Sequence, residues 1–213
     1  MTAARSLLFD ARETLPIAET SHASGKYAIE ALGTFGLQLT VGVAVCSGNP
    51  VAAVGIGIIV MTVIYAGGYR AGAHFNPAIT LAALVWGRVT LPQATRYWCA
   101  QLIAGLGAAL TWRIADAEGQ AETGIAMMLG GRTLLAALAA QLLFTLAVAY
   151  VVFSCTGFGE QSSNALSGLA IGVAVLAGGV DLAAVFGGVY LVSQVIAGAF
   201  AGIAFLTFGS AAR

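Results

Sequence analysis

The chain has 213 residues, of which 59% are hydrophobic and only 8% charged, and its mean hydropathy is +0.91. A soluble domain carries roughly a quarter charged residues, so this composition excludes one and makes the bilayer the solvent. Nine Lys and Arg against nine Asp and Glu leave no net charge, and the basic residues are scattered, which excludes the basic patch a nucleic-acid partner requires.

Residues 1–26 hold Arg5, Arg12, Glu13, Glu19 and Lys26, and their one apolar run, Leu7-Leu8-Phe9, is too short for the core of a signal peptide. They read as an N-terminal tail, either a disordered arm or a short interfacial helix. A spanning helix needs about 20 mostly apolar residues. That template fits 27–47, 51–69, 92–114, 133–154, 165–180 and 188–208, with 209–213 left as a C-terminal tail. The fifth stretch, about 16 residues long, sits at the lower limit for a span. Residues 27–208 are therefore expected to form a single all-α transmembrane domain of six spans.

Cytoplasmic loops collect Lys and Arg. With six spans, Arg5, Arg12, Lys26, Arg70, Arg88, Arg96 and Arg213 fall on one side and Arg113 and Arg132 on the other, which puts both termini in the cytoplasm. Cys46, Cys99 and Cys155 show no CxxC spacing and read as small packing residues. Pairs such as Gly168 with Gly172 and Gly198 with Gly202 sit at spacings that allow helix backbones to approach closely.

The second half echoes the first. Glu30-Ala-Leu-Gly-Thr34 matches Gln141-Leu-Leu-Phe-Thr145 at an offset of 111 (141 minus 30), and Gly57 matches Gly172 at 115 (172 minus 57). Tyr97-Trp-Cys-Ala-Gln101-Leu-Ile-Ala-Gly105 matches Tyr190-Leu-Val-Ser-Gln194-Val-Ile-Ala-Gly198 at only 93 (190 minus 97). Three spans per half reverse the orientation of the second half, so this is an inverted repeat, of about 27–114 and 133–208. The falling offset means that the second half lacks about 22 residues (115 minus 93) between its second and third spans.

At the corresponding place the first half carries Ala71-Gly-Ala-His74-Phe75-Asn76-Pro77-Ala78-Ile79-Thr80, followed by an apolar run that ends at Trp86-Gly87. Asn before Pro is a helix-start signal, since Asn caps free amides and Pro at the first position loses no hydrogen bond. A helix over 79–85 is too short to span and suits a re-entrant half helix whose positive end lies inside the membrane. There the Asn76 amide faces a passing oxygen, and irregular backbone from Gly72 to Phe75 is tolerated because it lines a cavity or is buried in protein.

The segment AGAHFNPAIT resembles the signature loop SGAHFNPAVT of the major intrinsic protein (aquaporin and glycerol facilitator) family, and with Glu30 in EALGTF and the inverted repeat the resemblance extends over roughly residues 27–208. It implies an aquaporin-type six-span bundle with one clear re-entrant half helix, a homotetramer with one pore per protomer, and a location in the cell (inner) membrane. It also implies that Asn76, in the loop with Pro77 and Ala78, donates to the permeant, and that Glu30 holds the loop backbone. From position alone, Glu30 instead lies near the cytoplasmic boundary and reaches water. Gln141 occupies the matching place in the fourth span. His74 either lines the vestibule as a pH-sensitive group or, more commonly for such a residue, is a satisfied packing residue. Arg70 reads as a positive-inside anchor.

Members of that family carry a second Asn-Pro-Ala with an Arg, and here neither is present between the fifth and sixth spans. Asp181-Leu-Ala reads as a drifted copy, or Leu182-Ala-Ala matches Leu81-Ala-Ala and the rest is gone. The filter positions align with Ile56 and Gly179, which implies a wide or incomplete constriction. Asp181 at mid-membrane would attract cations; at the outer surface it is a solvated loop residue.

The leading expectation is a passive channel for water or small uncharged solutes such as glycerol, ammonia or urea. A pore-less remnant serving as an assembly subunit is the second reading. A secondary transporter ranks last, with only Glu30, Gln141 and Asp181 available for ion coupling. An enzyme is not expected: no Ser/His/Asp constellation or metal-ligand spacing is visible, and His22 and His74 lie far apart. No cofactor or metal is called for, and the partners expected are the bilayer, small neutral solutes and further copies of the chain.

Overall fold

The computed structural model describes residues 16–47, 51–68, 72–115, 131–156, 166–178 and 188–208. Among these described residues seven α-helices run in the order α1 (Pro16–Ser47), α2 (Ala52–Val63), α3 (Pro77–Val85), α4 (Leu91–Ala115), α5 (Gly131–Thr156), α6 (Ser167–Ala177) and α7 (Gly188–Phe208). A π-helical turn, Ile64–Gly68, continues α2. With no water in a bilayer to satisfy the backbone, an apolar chain must close its hydrogen bonds within helices, and the described residues are helical apart from short caps and the segments 72–76 and 86–90.

Among the described residues two segments are long and apolar enough to cross a membrane, Gly25–Ala44 and Leu138–Thr156, and Val54–Gly67, Ser167–Ala177 and Ser193–Thr207 are shorter apolar helices. α1 begins at Pro16, so residues 16–26, read from the sequence as tail, continue the first helix. The fifth span, expected over 165–180, is an eleven-residue helix that ends with Gly178 as its C-cap. Large apolar side chains point outward along every long helix, among them Leu102, Leu106 and Leu110 of α4 and Leu143 and Tyr150 of α5.

The inverted repeat is visible in the packing. α1 lies on α4 and, correspondingly, α5 lies on α7; α1 pairs with α2 as α5 pairs with α6. The halves meet where α2 crosses α6. There Gly57 and Gly172 face one another: a Cβ on Gly57 would lie 2.9 Å from the Gly172 carbonyl oxygen, and one on Gly172 would lie 2.7 Å from that of Gly57. Small residues at such a crossing let two backbones touch, and dispersion between them holds helices together where lipid removes the hydrophobic drive.

The half helix α3 breaks the symmetry. It rests on α7, where Gly202 leaves room for the Ala82 carbonyl and Val85, and Gly198 for the Ala78 carbonyl. Its apolar side enters a core of Val60, Phe75, Ile79, Trp86, Phe153, Ile171 and Phe205. The residue of α4 that matches Gly198 in the repeat is Gly105, and no described atom lies within 4 Å of where its Cβ would stand.

Candidate functional site: the loop and half helix

α3 starts where Asn76, in extended conformation, accepts the Ala78 N–H on its Oδ1 at 2.7 Å, with Pro77 in the first helical position. The helix thus begins two residues before the 79–85 expected from the apolar run. It ends at Trp86, beyond which Gly87 has φ 78°. The Gly87 N–H donates to the Leu84 carbonyl at 3.0 Å and the Arg88 N–H to that of Ala83 at 2.8 Å. This is the Schellman closure that glycine's left-handed freedom allows.

The loop before it is strained. Gly72, Ala73 and Phe75 all have positive φ, at 91°, 55° and 45°. For the two non-glycine residues that conformation costs about 1–3 kcal/mol each and persists only where the surroundings impose it. Glu30 imposes it here. Its Oε1 accepts the His74 N–H at 2.8 Å and its Oε2 the Phe75 N–H at 2.7 Å, while Gln101 Nε2 donates to Oε2 at 3.2 Å. Every one of these partners is a donor, as an ionised carboxylate requires. Glu30 is fully buried at 0% exposure, so it does not reach water at the boundary.

A second set of bonds ties the loop to α3. Gln101 Nε2 also donates to Thr80 Oγ1 at 3.0 Å, and His74 Nδ1 lies 3.1 Å from the same oxygen. Thr80 Oγ1 is 3.3 Å from the Asn76 carbonyl. The hydroxyl has one proton, so giving it to Asn76 requires His74 to carry its proton on Nδ1, whereas a neutral Nδ1 acceptor takes it instead. Trp98 Nε1 donates to the Pro77 carbonyl at 3.1 Å, which fixes the first turn of α3 against α4. His74 is buried, and its ring lies 4.5 Å from that of Tyr97.

The structure thus brings Glu30, His74, Asn76, Pro77 and Ala78 into one cluster. Asn76 is half-buried, and its Nδ2 has no acceptor among the described residues. Ile56 lies apart, packed with Val41, Ala44, Leu37 and Val175. An open constriction at Ile56 is not what the described residues form, for that side chain is 0% exposed. Gln141 is buried in α5, its Nε2 donating to Thr145 Oγ1 at 3.2 Å and its Oε1 without a partner among the described residues. Gly179 and Asp181 lie outside the described residues.

Gln101, Thr80, Tyr97 and Trp98 are the members of this cluster that sequence reasoning did not single out. A signal for Gln101 was present: a polar side chain in an apolar span, repeated at Gln194 in the other half. For Trp98 none was, because only the folded chain brings its indole to Pro77.

Comparison with known proteins was made on this basis. The chain is similar to the probable aquaporin TIP3-2 of Arabidopsis thaliana, 35% identical over 113 residues that cover 51% of this chain and 42% of the relative. It is 32% identical to Aquaporin-5 of Ovis aries over 57% of this chain and 46% of the relative, and 31% identical to Aquaporin-2 of Homo sapiens over 59% and 47%. The chain spans about half the length of the curated relatives it matches. The family described as major intrinsic protein matches residues 30–189. That stretch holds both the loop with its Glu30 anchor and the α2–α6 crossing, and on this match the chain belongs to the major intrinsic protein family.

Proposed function

We propose that the chain is a passive transmembrane channel for water or small uncharged solutes, with glycerol, ammonia and urea in the same class, and that the permeant passes the start of α3. One observation carries the reading. Asn76 spends its Oδ1 on capping α3 and keeps its Nδ2 amide without an acceptor among the described residues, at the positive end of a helix. Such an amide donates to the oxygen of a passing neutral solute, while the helix dipole disfavours cations. The names of the relatives, all aquaporins, support it. In this reading Glu30 supports the loop, Gln141 has the same part in the second half, and His74 is a packing element beside the path. Gly179 and Asp181 stay the filter candidates of this reading, while Ile56, enclosed by Val41, Ala44, Leu37 and Val175, does not line the path. Family resemblance supports a homotetramer in the cell membrane, and the basic-residue bias supports cytoplasmic termini.

The test is osmotic shrinkage of proteoliposomes, followed by light scattering with an impermeant solute. Wild type is expected to shrink well above the lipid rate and Asn76→Ala close to it. Equal rates for the two would remove Asn76 from the path.

Complete burial of Ile56 favours a second reading, a pore-less packing or assembly subunit. It requires correctly inserted protein to leave water, glycerol and urea permeation at the lipid rate.

A further inference from the structure

The two halves differ at a pair of matching positions where one has glycine and the other a large side chain. Gly33 of α1 matches Phe144 of α5 at the offset of 111 (144 minus 33) that also relates Glu30 to Gln141. Val63, at the end of α2, matches Gly178, at the end of α6, at the offset of 115 (178 minus 63) that also relates Gly57 to Gly172. In the first half a Cβ on Gly33 would overlap the ring of Phe75 and lie 2.7 Å from Val63 Cγ1, so the bare backbone of α1 seats the loop. In the second half a Cβ on Gly178 would overlap the ring of Phe144. The space that a loop residue enters in the first half is thus entered in the second by a side chain of the spanning helix itself.

Gly178 has φ −75° and ψ −18°, ordinary right-handed values, so its backbone does not call for glycine. Among the described residues it is the Phe144 ring that excludes a larger side chain there. The ring lies on the inner side of both helices. On α6, Ile171 and Val175 precede Gly178 by seven and three residues, which is one helical stripe, and both pack into the core. On α5, Gln141 stands one turn before Phe144 and is 2% exposed, with its Oε1 unpartnered among the described residues. Its match, Glu30, is the residue that holds the first loop. Gln141 and Phe144 therefore stand where a second loop would be held, in the half whose sequence is about 22 residues shorter (115 minus 93). Gly178, under the ring, directly precedes the filter candidate Gly179.

We propose that Phe144 is the size-determining residue of the outer half of the path: its ring, seated on Gly178, takes the place of the missing second loop and sets the largest neutral solute that passes. The proposal rests on the channel reading above. An aromatic ring brings bulk but neither charge nor a strong donor, so it sorts neutral solutes by cross-section, water before glycerol.

Wild type, Phe144→Leu and Phe144→Ala are compared in the same liposomes. Water permeability is read by osmotic shrinkage with an impermeant solute, and glycerol permeability by the reswelling that follows a glycerol gradient. Thermal midpoints in detergent are recorded beside them. Leucine keeps much of the apolar volume, so Phe144→Leu retains the fold even where the cavity left by alanine does not allow it. The expected result is a glycerol-to-water permeability ratio raised about tenfold in Phe144→Ala and about threefold in Phe144→Leu. An unchanged ratio in folded protein overturns the proposal. So does a parallel fall of both permeabilities with the thermal midpoint, which would assign the ring to packing alone. Water flux at the lipid rate in wild type removes the channel reading, and the variants then decide the proposal separately. Flux that appears in Phe144→Leu or Phe144→Ala upholds the ring as the obstruction, and lipid-level flux in the folded variants as well overturns it.

Discussion

Glu30 Oε2 accepts the N–H of Phe75 at 2.7 Å while the Phe75 backbone stands at φ 45°, so the buried carboxylate of the first helix pins a left-handed residue 45 positions away. Each hydrogen bond to a charged group contributes about 1.5–3 kcal/mol, and two of them offset the strain at Ala73 and Phe75. The loop conformation that presents Asn76 is thus stored in Glu30 rather than in the loop's own sequence.

Glu30→Gln keeps the shape but sets an amide NH2 against a backbone N–H that needs an acceptor. About 2–4 kcal/mol of stability is expected to be lost, visible as a lower thermal midpoint in detergent, together with at least about a tenfold fall in water permeability. An unchanged midpoint would show that the loop holds its conformation without the carboxylate.

Asn76→Asp separates the two uses of the side chain. Aspartate retains the oxygen that caps Ala78 and is favoured at a helix start, so stability is expected to stay within about 1 kcal/mol of wild type. The Nδ2 donor is lost, and water permeability is expected to drop toward the lipid rate. Retained permeability in a folded Asn76→Asp protein would exclude donation by this amide.

Gly57→Leu drives a side chain into backbone, since the Gly172 carbonyl stands 2.9 Å and Leu176 Cβ 2.8 Å from its first carbon. Overpacking of this kind costs about 1–3 kcal/mol. Gly105→Ala in α4 meets nothing and gains helix propensity, so it is expected to be neutral or stabilising by about 0.5–1 kcal/mol. Thermal unfolding of the two variants side by side checks both signs.

Trp98→Phe removes the indole N–H from the Pro77 carbonyl while keeping an aromatic ring in place. About 1 kcal/mol of stability is expected to be lost. Water permeability should fall by less than in Asn76→Asp, since Trp98 holds the first turn of α3 from outside the path.

The helices and the start of α3 were legible because each is written in local terms: apolar runs of spanning length, and an Asn-Pro pair with Gly87 beyond the end. The end of the second helix was less so. A π-helical turn over Ile64–Gly68 carries it into the loop, and no local signal distinguishes that turn from more α-helix. The start of α1 was read at 27 because residues 16–26 are polar and charged, yet a helix already nucleated extends into them at little cost.

Composition, span lengths and the repeated Glu30/Gln141, Gly57/Gly172 and Gln101/Gln194 positions determined an all-α membrane bundle of two inverted halves, because lipid leaves an apolar chain few alternatives. Tertiary structure alone decided which groups meet. Glu30 reaches Phe75 and Gln101 reaches Thr80 across gaps in sequence that no periodicity records. Trp98 finds the Pro77 carbonyl, and Lys26 settles over Tyr97 rather than beside a carboxylate. Each pairing follows from burial: a polar group carried out of water by its helix takes the partner that packing brings within reach, and packing belongs to the whole bundle rather than to any one segment.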